Sequence, residues 1–132
     1  MRTNLEFRSA ELSGYGSGQD TPRGEIVARL LARELPKQGF DVTDVSAEDW
    51  GWRVTVACDA FPLWVGCGGY EEWEDGHLCF IEPSKPYVRH WLKRVPTVEI
   101  IDRLATALED VIRADGRARD LRWWTEEASN GG

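Results

Sequence analysis

Residues 48–91 read EDWGWRVTVACDAFPLWVGCGGYEEWEDGHLCFIEPSKPYVRHW, and the periodicity inside this stretch decides the fold. Trp52, Val54, Val56 and Cys58 alternate with Arg53, Thr55, Ala57 and Asp59, the period-2 pattern of a strand with one apolar face. Asp59, Ala60 and Pro62 supply a turn. Phe61, Leu63, Val65 and Cys67 form the next apolar face, with Trp64 pointing the opposite way. Gly66, Gly68 and Gly69 in that segment predict a bulge, a close backbone approach, or room made for neighbouring tryptophans. Asp75-Gly76 is a turn signal and His77–Glu82 is the strand after it. With an alternating segment at Phe40–Val45 just before, this makes four strands joined by short turns, an antiparallel meander.

Outward from the meander the pattern becomes helical. On the N-terminal side, Leu5–Leu12 reads as a first strand and SGYGSG (13–18) as a mobile loop. A glycine-rich loop between strand and helix suggests a phosphate cradle. The Lys-Ser/Thr that such a cradle needs is replaced here by Gln19, Asp20, Thr21 and Pro22, and Asp20 would repel the phosphate. Thr21 and Pro22 read as N-cap and first helical residue, followed by Ile26, Val27, Leu30, Leu31 and Leu35 at helical spacing. Gly39 is placed to end that helix, with Phe40 folding back on it.

On the C-terminal side, Pro83–Pro86 interrupts the strands. Val88, Trp91, Leu92 and Val95 then fall at i, i+3, i+4 and i+7, which predicts a short helix carrying Lys85, Arg89 and Lys93 as a basic patch. Pro96-Thr97 opens a long helix whose apolar stripe is Val98, Ile101, Leu104, Ala105, Leu108, Val111 and Ile112, ended by Gly116. Leu121–Trp124 reads as a last strand, and 126–132 as a disordered tail. The expected class is α+β, a single domain over residues 1–125. Its antiparallel sheet has about five to six strands with two long helices on one face, in the order strand, helix, four strands, short helix, long helix, strand. At least half of the tryptophans are expected to fill the core.

At 132 residues with 42% hydrophobic and 30% charged content, the chain has the composition of an ordinary globular domain. Its formal charge of −7 argues against nonspecific nucleic-acid binding and against docking on anionic membranes. No apolar run approaches the length of a membrane span, which needs roughly 18 residues or more. The start lacks the apolar core of a signal peptide, and three cysteines at unpaired spacing fit reduced thiols in a cytoplasm.

Three chemistries are considered for the stretch. Cys67, His77 and Cys79 are metal-ligating types, but only His77-x-Cys79 is closely spaced, and alternating cysteines read better as small core residues. Cys67 among glycines, with His77 or His90 as base, resembles no known nucleophile setting. Glu71-Glu72 and Glu74-Asp75 read as a solvated face, and Glu82 as a strand-end partner for Lys85 or Arg89. No metal and no cofactor are expected, and the reading leans away from an enzyme.

The blocks EDWGW, FPLWVGCGGYEE, IEPSKP and the closing RWW together resemble a family of small uncharacterised bacterial proteins, mostly proteobacterial, over about Leu5 to Trp124. The resemblance implies a bacterial cytoplasmic protein and carries no activity with it. Tryptophan and arginine dominate binding hot spots, so the expected function is a non-catalytic protein-binding or self-associating module. Its aromatic sheet surface is expected to hold the partner, an immunity-type inhibitor of a basic toxin being one version. The residues expected to bind are Trp50, Trp64, Trp73, Cys67, Glu82, Lys85 and Arg89. The alternative is a small-ligand binder or enzyme with a pocket near Cys67, Glu82 and Arg89, between the sheet and residues 83–94.

Overall fold

The computed structural model describes residues 1–14, 21–70 and 72–125. The expected loop beyond Gly14, Glu71 of the acidic loop and the expected tail at 126–132 lie outside the described residues. The fold is α+β. Among the described residues, eight strands occur in chain order: β1 (Arg2–Arg8), β2 (Val42–Glu48), β3 (Gly51–Val56), β4 (Leu63–Gly69), β5 (Gly76–Glu82), β6 (Tyr87–His90), β7 (Lys93–Pro96) and β8 (Arg119–Thr125). The helices are α1 (Glu25–Glu34), extended by a 3-10 turn at Leu35–Gln38, and α2 (Val98–Asp115).

Six strands form one antiparallel sheet in the order β2-β3-β4-β5-β1-β8. The meander is its body, and β1 and β8 are added beyond β5. Registers Val54↔Val65, Val65↔Ile81, Cys67↔Cys79, Leu5↔Cys79 and Phe7↔His77 place one continuous row of buried residues on a single face. Both helices cover that face. Val27, Leu30 and Leu31 of α1, and Ile101, Leu104, Leu108, Val111 and Ile112 of α2, pack on it. The spacing of these residues explains the burial, since positions three and four apart share one side of a helix. Beyond the core, the Trp123 indole N–H donates to Glu109 at 2.6 Å and Arg2 pairs with Asp102 at 2.9 Å, tying the β1/β8 edge to α2.

Helix α1 begins later than its capping signal suggests. The N-cap is Gly24, not Thr21, because the chain must pass close to the sheet first. Gly24 has φ 115°, and a Cβ there would stand 2.4 Å from the Cys67 carbonyl oxygen, so only glycine fits. Strand β1 likewise ends at Arg8, not Leu12.

The expected short helix over 87–95 is a β-hairpin. β6 and β7 pair through Tyr87↔Pro96, Val88↔Val95, Arg89↔Arg94 and His90↔Lys93. Val88 and Val95 face each other and pack against the core, while Trp91 and Leu92 form the turn. The same four apolar positions satisfy both descriptions, and tertiary burial of the two valines selects the hairpin.

Tryptophan burial also departs from expectation. Trp52 is buried in the core, donating its indole N–H to Pro22 O at 3.0 Å, and Trp123 packs against the core. The others lie off it, because the helices already fill the covered face. No helix among the described residues is long and apolar enough to cross a membrane.

Candidate functional site

The second face of the sheet has neither helix over it. Antiparallel sheets with one open face normally carry polar residues there. At the β2 edge this holds, with Asp44, Ser46 and Glu48 opposite Thr55, Arg53 and Gly51. At the centre it fails. Strand alternation puts Trp64, Gly66 and Gly68 of β4 beside Glu82, Phe80 and Leu78 of β5. Strand β5 is therefore apolar on both faces, with Cys79 and Ile81 inward and Leu78 and Phe80 outward.

Gly66 and Gly68 shape this surface. The Phe80 ring lies across Gly66, where an added Cβ would meet its Cζ at 2.3 Å. Trp50, from the β2–β3 turn, leans over the same place, and a Cβ on Gly68 would meet its carbonyl oxygen at 3.2 Å. The rings of Trp50, Trp64 and Phe80 form a triad with centroids 5.8, 5.2 and 5.6 Å apart, tilted or edge-on as aromatic quadrupoles prefer. The Arg53 guanidinium caps Trp64 at 4.4 Å from the ring centroid. Trp50, Trp64, Gly68, Gly69, Leu78 and Phe80 enclose a concavity of about 330 Å³. Registers β3–β4 and β4–β5 run without interruption, so these glycines do not mark a bulge.

Of the residues expected to bind, Trp50 and Trp64 meet here, and Glu82 stands opposite Trp64 in the ladder. Cys67 does not join them, since its parity turns it into the core. Its sulfur lies 4.0 Å from that of Cys79, and this hydrogen-bonded contact, then burial, pushes the Cys67 thiol well up. Such a thiol is held protonated and is a poor nucleophile. Lys85 sits at the hairpin root, its carbonyl accepting from the Thr97 hydroxyl, and Arg89 is exposed on β6. Phe80 and Leu78 are the members that the sequence reading left out of the site. Their signal was present as apolar residues at both parities of β5.

Trp73 stands further along the same open face, beyond the trough, beside the outward residues of β1. The Arg8 guanidinium lies 4.5 Å from its ring centroid, and Arg8 and Arg119 each reach Asp75 at 2.9 Å. Arg8 first, and Arg119, hold the Asp75 carboxyl below the usual carboxylate range. Trp73 is 44% exposed. It lines a smaller, charged concavity of about 200 Å³ with Glu6, Arg8, Tyr70, Asp120 and Arg122.

His77 is buried and stacked on Phe7, with ring centroids 5.0 Å apart. Its Nε2 lies 3.0 Å from Ser9 O and 3.0 Å from Ser13 Oγ. A carbonyl only accepts, so Nε2 carries the proton. The Ser13 hydroxyl donates to the same carbonyl at 2.5 Å, which leaves its oxygen as an acceptor for His77. The histidine is thus a donor to the chain after β1 and has no lone pair on Nε2 to take a proton from Ser13. Burial pulls its pKa down. Among the described residues no group of three or more His, Cys, Asp or Glu side chains is placed to hold a metal ion.

Comparison of the chain with protein-family models, with curated proteins and with solved structures finds no match.

Proposed function

We propose that this chain is a non-catalytic binding module that takes a protein partner on the open face of its sheet. One observation carries the reading. The centre of a solvent-facing sheet surface holds Trp50, Trp64, Phe80 and Leu78 around glycines instead of the polar residues such a surface ordinarily shows. Aromatic residues pre-packed against one another lose little side-chain entropy on association, which is why they dominate hot spots. Support for a non-catalytic role comes from Cys67, protonated in the core, and His77, engaged as a donor. A bacterial inhibitor of immunity type, acting on a basic toxin in the cytoplasm, is the concrete form that the net charge of −7 favours.

The test is affinity capture from the native host with wild type, Trp64→Ser and Trp73→Ser, read by mass spectrometry. Proteins held by the wild type should be lost with Trp64→Ser and kept with Trp73→Ser. Equal capture by all three would refute the assignment of binding to the Trp50–Trp64–Phe80 concavity. A second reading, small-ligand binding, draws on the concavity itself, whose 330 Å³ falls at the lower end of the roughly 300–1,000 Å³ of ligand clefts. A metabolite that quenches wild-type tryptophan emission but not that of Trp64→Ser would favour it.

A further inference from the structure

The β6–β7 hairpin has features that the fold does not require. Its turn is the two-residue pair Trp91-Leu92, and Trp91 has φ 60°. Two-residue hairpin turns need positive φ at the first position, where glycine, asparagine or aspartate is usual. Here a tryptophan and a leucine occupy the tip, and they are 88% and 94% exposed. The strands beneath place Arg89 opposite Arg94 and His90 opposite Lys93. The like charges of Arg89 and Arg94, directly across the ladder, weaken it. The root is nonetheless fixed, by Val88 and Val95 against the core and by the Thr97 N–H on Pro86 O at 3.0 Å.

Charge divides sharply between this hairpin and the rest. Residues 83–97 hold Lys85, Arg89, Lys93 and Arg94 and no acid, a formal +4. The remaining chain holds twelve basic and 23 acidic residues, a formal −11. The trough on the open sheet face lies on that acidic body. Glu82 stands opposite Trp64, Glu6 stands opposite Leu78, and Glu48 and Asp49 directly precede Trp50. Two cations also lie there among the described residues: Arg53 over Trp64, and Arg122, which shares Glu6 at 3.3 Å.

We infer that the Trp91-Leu92 tip of one copy docks in the Trp50–Trp64–Phe80 trough of a second copy, with the basic hairpin strands against the acidic rim. The molecule carries both halves of this contact, an apolar tip flanked by cations and an apolar trough flanked by carboxylates. An anionic bilayer would attract the hairpin but repel a body of −11, which favours the second copy. The contact is heterologous, so it either closes by reciprocal exchange of hairpins or extends from copy to copy. This inference rests on the reading of the trough as a binding surface and names its occupant.

Two variants of the full chain test it by light scattering and sedimentation across micromolar to millimolar concentrations. Trp91→Ser/Leu92→Ser removes the tip at exposed turn positions. Leu78→Lys puts a cation in the trough. Circular dichroism verifies that each is folded. The wild type should associate, more weakly as salt rises, and each variant alone should associate at least about 30-fold more weakly, the hot-spot range. Mixed in equal amounts, the two should form a heterodimer, because one retains the trough and the other the tip. A wild type that stays monomeric throughout overturns the inference, as does a mixture that does not assemble. If the monomeric wild type instead binds phosphatidylserine vesicles through Trp91, the tip belongs to lipid and the inference also fails. None of these failures touches the trough reading, which falls only if Trp64→Ser leaves partner capture unchanged.

Discussion

Replacing Gly66 with alanine tests how the aromatic surface is built. The added Cβ would lie 2.3, 2.5 and 2.8 Å from the Cζ, Cε1 and Cε2 atoms of Phe80. Carbon atoms pack at about 3.5–4.0 Å, so the ring must retreat by more than about 1 Å. That movement disrupts its packing on Trp50 and Trp64, now at centroid distances of 5.2 and 5.6 Å. Overpacking of this kind costs about 1–3 kcal/mol. Against it, alanine in a strand is favoured over glycine by about 0.5–1 kcal/mol. The net expectation is a loss of about 1–2 kcal/mol. The sign should reverse once Phe80 is gone. In a Phe80→Ala background, Gly66→Ala meets open space and should be neutral or stabilising by up to about 1 kcal/mol. Urea unfolding of the wild type, both single variants and the double variant completes a thermodynamic cycle, with an expected coupling of about 1–3 kcal/mol. Additivity within error would refute the placement of the Phe80 ring over Gly66, and with it the floor of the trough.

Other outcomes follow from the same geometry. Gly24→Ala should cost about 2–4 kcal/mol, combining left-handed strain with overlap on the Cys67 carbonyl. Gly39→Ala, at φ 92° with nothing within 4 Å, should cost only the strain of about 1–2 kcal/mol; equal losses in urea melts would contradict the close approach. His77 has a folded-state pKa below its unfolded value near 6.5, so the unfolded chain binds the proton first. Its contribution is complete above about pH 6.5 and is lost as pH falls, by at most about 1.4 kcal/mol per pH unit; His77→Gln should flatten the slope of stability below about pH 6.5. Cys58 is partly exposed whereas Cys67 and Cys79 are buried, so a thiol reagent should label one cysteine in the native protein and three after unfolding. Rapid native labelling of Cys67 would overturn its placement in the core.

The sequence by itself determined the elements whose signals are local. Apolar residues at helical spacing mark α1 and α2, and alternation marks β3 and β4, because each of these buries one face and the side-chain period reveals which, while the Asp75-Gly76 turn signal marks the start of β5. Parity alone separates Trp64 from Cys67. Tertiary structure decided whatever depends on what lies opposite. Val88, Trp91, Leu92 and Val95 fit a helix and a hairpin equally well, and pairing of the two valines over the core chooses the hairpin, sending Trp91 and Leu92 into solvent. Likewise Gly66 became a floor only when the pairing of β4 with β5 set Phe80 across it. Trp50 joined Trp64 only because the β2–β3 turn folds back over the sheet. Register across strands far apart in sequence has no local code, so the aromatic trough existed in the sequence as a list of residues and in the fold as a surface.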